Sequence, residues 1–219
     1  TLKWALGFPD ATHAWAQPAV AGGRVFVGSH NGTVYSLDAR SGCIRWTFVA
    51  NGGVRTGMAL GPGIGTGDAT RETTMYFGDS NAVAYALDAA TGREIWRRKV
   101  DVHPLARITG SPTLHAGRLY VPTASYEEVD TASPDYECCT FRGSLSALDA
   151  RTGEVIWKTY TSSEPKRRGT SSAGQPLWGP SGVGIWSAPT IDARRGVVYA
   201  ATGNGYSNPP EATSDDWPF

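Results

Sequence analysis

Few side chains in this 219-residue chain have the types and spacing for chemistry, and they stand outside its regular patterns. No Ser/His/Asp or Cys/His set, no zinc-type Cys/His spacing and no phosphate-binding Gly loop occurs. His13, His30, His103 and His115 are scattered through loop stretches. What remains is binding chemistry. Glu127 and Glu128 carry hard oxygens of the kind calcium prefers. Arg55 and Arg142 carry guanidinium forks that match carboxylates. Trp178 and Trp186, eight positions apart, carry broad apolar plates, and Cys138 and Cys139 are adjacent.

The elements that must position these residues are announced by repetition. Tyr35 to Trp46, Tyr85 to Trp96 and Ser146 to Trp157 share Leu-Asp-Ala, then a Ser/Thr-Gly pair, then a closing Trp, with Leu37, Leu87 and Leu148 spaced 50 and 61 residues apart. The Asp can bond amides across a tight turn and the Gly can take a positive φ, so each phrase predicts a hairpin. A second phrase, Gln17-Pro to Gly28, Ser111-Pro to Val121 and Ala188-Pro to Ala200, predicts another hairpin ahead of each. In the second unit that hairpin is split by an insertion over 61–73. Two hairpins give four strands per unit, over 14–48, 54–99 and 108–160, with a fourth, incomplete unit over 184–219. Four antiparallel strands repeated at this length predict an all-β protein built as β-propeller blades, each Trp wedged between neighbouring blades with its N–H on a backbone acceptor. A propeller closes with roughly four to eight blades, so three and a half units lead us to expect part of a longer polypeptide.

Composition agrees: 27 Gly, 14 Pro and 8 Trp beside 2 Met favour short strands and turns over long helices. Twenty basic and twenty acidic residues cancel and no polybasic tract occurs, which argues against nucleic acid or an anionic membrane as partner. No apolar run approaches the roughly 18 residues of a membrane span. The opening residues lack the charged-then-apolar pattern of a signal peptide.

The Ala-Leu-Asp-Ala-x-Thr-Gly-x-x-x-Trp phrase resembles the tryptophan-docking motif of the pyrroloquinoline quinone (PQQ) dehydrogenases. Cys138-Cys-Thr-Phe-Arg-Gly-Ser-Leu-Ser-Ala-Leu-Asp149 and Gly184-Ile-Trp-Ser-Ala-Pro-Thr-Ile-Asp192 are similar to the polyvinyl-alcohol-dehydrogenase-like branch. The resemblance implies an eight-bladed ring holding PQQ and Ca²⁺ on its axis, of which this chain is about the first half. It also implies oxidation of an alcohol, electron transfer to a cytochrome c, and a periplasmic or otherwise exported location. By alignment, Glu127 and Asn204 fall on the Ca²⁺ ligands and Trp186 on the indole stacked beneath PQQ, with Asn204 eighteen residues after Trp186 as the family spacing requires. Cys138 and Cys139 correspond to the adjacent pair that the family joins as a disulfide against the cofactor, although here they lie in the third unit instead of an earlier blade junction. Arg142, Arg55 and Thr109 are the implied contacts to PQQ carboxylates. Trp15 stands where a cofactor-contacting Glu is expected, and the family's catalytic Asp belongs to a later blade, beyond Phe219. Two other readings fit the repeats: a non-catalytic scaffold propeller, and a polymer-binding ring using loops 61–73, 125–140 and 161–182.

Overall fold

The computed structural model of the protein describes residues 1–63, 73–133 and 135–207. Three antiparallel sheets follow one another along the chain, each strand paired with the next. The first comprises β1 (Ala19–Ala21), β2 (Arg24–Gly28), β3 (Thr33–Asp38) and β4 (Ile44–Val49). The second comprises β5 (Ala59–Pro62), β6 (Thr73–Gly78), β7 (Val83–Asp88) and β8 (Glu94–Lys99). A short strand, β9 (Ala106–Arg107), pairs with the far end of the third sheet, whose strands are β10 (Thr113–His115), β11 (Arg118–Ser125), β12 (Ser144–Asp149) and β13 (Val155–Tyr160). Between β11 and β12 lies one helical turn, α1 (Glu127–Asp130). Three strand pairs complete the described residues: β14 (Lys166–Thr170) with β15 (Pro176–Gly179), β16 (Ser181–Gly182) with β19 (Gly205–Ser207), and β17 (Thr190–Asp192) with β18 (Val197–Tyr199). The all-β expectation holds, and β17 and β18 form the first hairpin of the fourth unit. Residues 64–72 of the predicted insertion, and the stretch 208–219 of the fourth unit, lie outside the described residues.

The repeated phrase makes the same turn each time. Oδ1 of Asp38, Asp88 and Asp149 accepts two amides, from Arg40 and Ser41, Ala90 and Thr91, and Arg151 and Thr152. The β3–β4, β7–β8 and β12–β13 pairings each slip register just before the Leu of the phrase, a bulge that aims the turn.

Each turn also receives a tryptophan from the preceding unit. The ring of Trp46 lies on Gly92 and that of Trp96 on Gly153, so close that a Cβ on either glycine would sit 2.7 Å from the indole. Their Nε1–H groups donate to Ala89 O at 3.1 Å and Ala150 O at 3.0 Å. Trp4, ahead of the first sheet, does the same to Gly42 and Ala39 O. Glycine is needed here twice over, for the close ring and for a φ near +75°.

The core lies between the sheets. Phe26, Val34, Met75, Phe77 and Leu87 pack between the first and second, and Tyr76, Trp96, Leu119, Val121 and Leu148 between the second and third. At about 1.5–3 kcal/mol for each large apolar side chain buried, these layers hold the blades face to face.

In such a meander successive turns alternate between two faces. The Asp turns close on one face, and the β2–β3 and β6–β7 turns and the links between sheets open on the other. Replacing Gly153 with Ala combines a disfavoured φ with overpacking against Trp96, and is expected to cost about 2–4 kcal/mol. An unchanged urea midpoint for Gly153→Ala would contradict this account of the inter-blade lock.

Candidate functional site

The links between sheets are anchored alike. The amides of Val54, Ile108 and Ile185 donate to Ser29 O, Asp79 O and Thr123 O at 2.9, 3.0 and 3.0 Å, at the ends of the preceding unit's second strand. All three apolar side chains are buried, at most 2 % exposed. An extended chain alternates sides, so the residue after each anchor is turned away from the core. Those residues are Arg55, Thr109 and Trp186. Trp15 occupies the equivalent place in the first unit, since Trp15, Thr109 and Trp186 stand three residues before Pro18, Pro112 and Pro189, and Arg55 three before Met58.

Trp15, Arg55 and Thr109 converge on one narrow cleft of about 20 Å³, together with Arg107 and Tyr126. The Arg55 guanidinium carbon stands 5.1 Å from the Trp15 ring centroid, and that of Arg107 stands 3.4 Å from the Tyr126 centroid. Trp15 is steadied by His13 and His30, with centroids 4.4 and 5.2 Å away. Two buried polar atoms on the wall, Arg107 Nε and Thr109 Oγ1, have no hydrogen-bond partner. Burial draws the Arg107 guanidinium below its ordinary pKa, and the positive charge of Arg55 adds to that, against the opposing influence of Tyr126 and Asp130. No residue lining the cleft is acidic.

Trp186 lies one ring beyond, its centroid 6.3 Å from that of Tyr126. Its indole rests against Gly203, where a Cβ would stand 2.8 Å from Nε1. The adjoining Asn204 is exposed, with Nδ2 donating to Gly205 O and its own carbonyl accepting from Val183 N. Tyr206, next along, reaches Ser125 O; burial first, then Glu128 and Glu127, push its phenol up to about 12.

Glu127 begins α1 instead of ending a strand, and it is fully buried. Oε1 accepts from Thr140 N at 2.8 Å and Tyr136 Oη at 3.1 Å, and Oε2 from Phe141 N at 2.9 Å. His103 Nδ1 accepts from Leu105 N, which leaves the ring proton on Nε2, 3.1 Å from Thr140 Oγ1 and 3.6 Å from Glu127 Oε1. Burial alone would raise the Glu127 pKa, but His103 and the amides of Thr140 and Phe141 together hold it below the ordinary carboxylate value. Glu127 thereby clamps the segment that follows Cys138 and Cys139. Those two cysteines are joined by a disulfide, while Cys43 is free and exposed.

The disulfide does not line the cleft. Cys138 O accepts from Trp178 N, and Trp178 Nε1 donates to Glu137, so loops 125–140 and 161–182 are bound to each other. Arg142 also stands elsewhere, 3.7 Å over the ring of Tyr160 in β13. Among the described residues no cluster of three His, Cys, Asp or Glu is poised for a metal. Arg107 and Tyr126 were absent from the residues proposed from sequence. Arg107 had one signal: two residues before Thr109, it shares that residue's side of an extended segment.

Four-stranded sheets locked by indole-on-glycine contacts, with a shared position gathered on one face, define a tryptophan-docked β-propeller. A family model described as outer membrane protein assembly factor BamB matches residues 3–217. The chain belongs to this family of PQQ-type propeller repeats, in the polyvinyl-alcohol-dehydrogenase-like branch of the quinoprotein superfamily. It is 42% identical over 215 residues to a polyvinylalcohol dehydrogenase of Pseudomonas sp, covering 98% of this chain and 33% of that protein. The polyvinylalcohol dehydrogenase of Sphingopyxis sp. strain 113P3 is also 42% identical, over 218 residues, covering 98% of this chain and 32% of that protein. The chain thus spans about a third of the length of these curated relatives. In fold it is similar to quinohemoprotein alcohol dehydrogenase from Comamonas testosteroni, with a TM-score of 0.66 and 24% identity over 95% of this chain and 31% of the other.

Because the Glu127 carboxyl lies below its ordinary value, its contribution to stability is fully present above the ordinary carboxylate pKa and is lost as pH falls from there through the depressed folded-state value. Glu127→Gln is expected to cost about 2–3 kcal/mol near neutrality by placing an amide against two amide donors. The gap between the two proteins in urea should be full above the ordinary carboxylate range and narrow as pH falls below it; a gap independent of pH would show that the carboxylate is not what the loop depends on.

Proposed function

We propose that the full-length protein is a PQQ-dependent alcohol dehydrogenase acting on secondary alcohols such as polyvinyl alcohol, and that the cleft of Arg55, Arg107 and Thr109 belongs to its cofactor site. The observation that carries this is the gathering of two guanidiniums, a hydroxyl-bearing side chain and two aromatic faces on one cleft whose lining includes no carboxylate. A flat quinone bearing carboxylates suits that wall: the guanidiniums offer forks to its carboxylates, and Trp15 and Tyr126 hold those forks by their π faces. When bound, PQQ would supply the two-electron acceptor for alcohol oxidation. The chain's own part is to hold and orient it. Arg55 and Thr109 would bind its polar edge, and Trp186, from the same position two blades on from Arg55, would offer an apolar plate. Glu127 would keep the disulfide loop in place from beneath.

Calcium fits these residues less well. Glu127 is already engaged by three protein donors and Asn204 faces solvent, so no step is routed through an ion. We leave the base that takes the hydroxyl proton to the remainder of the propeller, and the electrons to a cytochrome c. A periplasmic or otherwise exported location accords with a disulfide between adjacent cysteines.

In the full-length protein reconstituted with PQQ, secondary alcohols should reduce an artificial electron acceptor. Arg55→Ala should weaken PQQ binding by about 10- to 100-fold, the loss of one charge-assisted hydrogen bond. No change in cofactor absorbance on mixing, together with no turnover, would leave the scaffold reading in its place.

A further inference from the structure

We infer that Gly203 is a positioning residue: the Cβ it lacks lets the indole of Trp186 come down on the backbone, and that seat sets the plane offered to a flat ligand. The inference rests on the reading of Trp186 as the apolar plate of the cofactor site and adds what fixes the plate's tilt. Gly203 does not need to be glycine for its own conformation, because its φ lies outside the left-handed region. A Cβ there would stand 2.8 Å from Trp186 Nε1 and 3.1 Å from Cδ1, and next 3.5 Å from Gly184 O, an ordinary contact. The indole is therefore what excludes a side chain. The backbone under it is pinned: Gly203 N donates to Gly184 O at 2.8 Å, Val183 N donates to Asn204 O at 2.9 Å, and Ile185 pairs with Thr202 between them. The ring is held less firmly. Trp46 and Trp96 anchor Nε1 on a carbonyl, whereas Nε1 of the half-buried Trp186 has no hydrogen-bond partner among the described residues. With no such anchor, packing on Gly203 decides its tilt, and an added methyl would displace the ring before the backbone.

The other units supply the comparison. Phe26, Tyr76, Tyr120 and Tyr199 hold one register position, opposite Ala19, Ala59, Thr113 and Thr190. Four residues after each stand His30, Ser80, Ala124 and Gly203, so glycine takes this place in the fourth unit alone. The first unit also has an indole three residues before its Pro, Trp15, but there His30 keeps its side chain and meets the ring edge-on, centroids 5.2 Å apart at 78°. One indole is seated against an imidazole and the other against bare backbone. The chain thus uses indole-on-glycine packing for two ends. At Gly92 and Gly153 it joins sheets and also needs a left-handed φ, whereas at Gly203 only the ring asks for it.

The test compares full-length wild type, Gly203→Ala, Trp186→Phe and the double variant, with Gly169→Ala, whose methyl meets nothing within 4 Å, as control. Near-ultraviolet circular dichroism of the free proteins reads the setting of the indole, and titration with PQQ, followed by its absorbance, reads binding. Gly203→Ala should alter the part of the dichroism that Trp186→Phe removes, and should bind PQQ about 10-fold more weakly with a shifted absorbance band. Phe lacks the pyrrole edge that Gly203 touches, so in the Trp186→Phe background the same alanine should cost less than about two-fold. Gly169→Ala should match wild type throughout. An equal loss in both backgrounds would overturn the inference, since the alanine would then act on the backbone and not on the ring; so would wild-type dichroism and affinity in Gly203→Ala. If wild type binds no PQQ, the cofactor reading fails, and the dichroism alone upholds or overturns the seating of Trp186.

Discussion

The indole of Trp46 on Gly92, with its N–H on Ala89 O, sets the distance and tilt between the first two sheets, and Trp96 repeats the setting for the third. The opposite face inherits that geometry. Once the sheets stand at this separation, the amides of Val54 and Ile108 can reach Ser29 O and Asp79 O, and the residue following each is carried outward. The cleft is therefore a product of sheet spacing. Its walls come from different parts of the chain: Trp15 precedes the first sheet, Arg55 lies between the first and second, Arg107 in β9 and Thr109 just after it lead into the third, and Tyr126 follows β11.

Two kinds of charge management lie side by side. Glu127 is an anion taken fully out of water, made tolerable by backbone amides, a phenol and an imidazole at close range. Arg107 is a cation managed incompletely, with an aromatic face beneath it and a donor left over. The first arrangement is closed and suits a structural clamp. The second leaves one buried donor unmatched.

The propeller was legible because its determinants are local. Asp, Gly and Trp recur within a dozen residues, and each acts on a turn or a ring that chain geometry already supplies. Arg55, Thr109 and Trp186 were readable singly, by resemblance. Their equivalence, and that of Trp15, becomes visible when the Gln17-Pro, Ser111-Pro and Ala188-Pro phrases are laid over Met58-Ala. Tyr126 was out of reach because its meeting with Arg107 depends on the β9–β11 pairing. The setting of Glu127 was hidden for a different reason: its main partners, the amides of Thr140 and Phe141, are backbone groups that leave no mark in a sequence. Arg142 carried the right chemistry, but its guanidinium is stacked on Tyr160.

The shared position after each buried anchor separates two demands that usually compete. The anchor and the docked tryptophan answer for folding, whereas the residue between the anchor and the next strand answers to whatever occupies the axis. A duplicated blade brings with it one spare place on that wall, already aimed, whose occupant can drift from indole to guanidinium to hydroxyl while the ring around it stays intact. Arg55, Thr109 and Trp186 are three such occupants, a guanidinium, a hydroxyl and an indole set on one backbone placement.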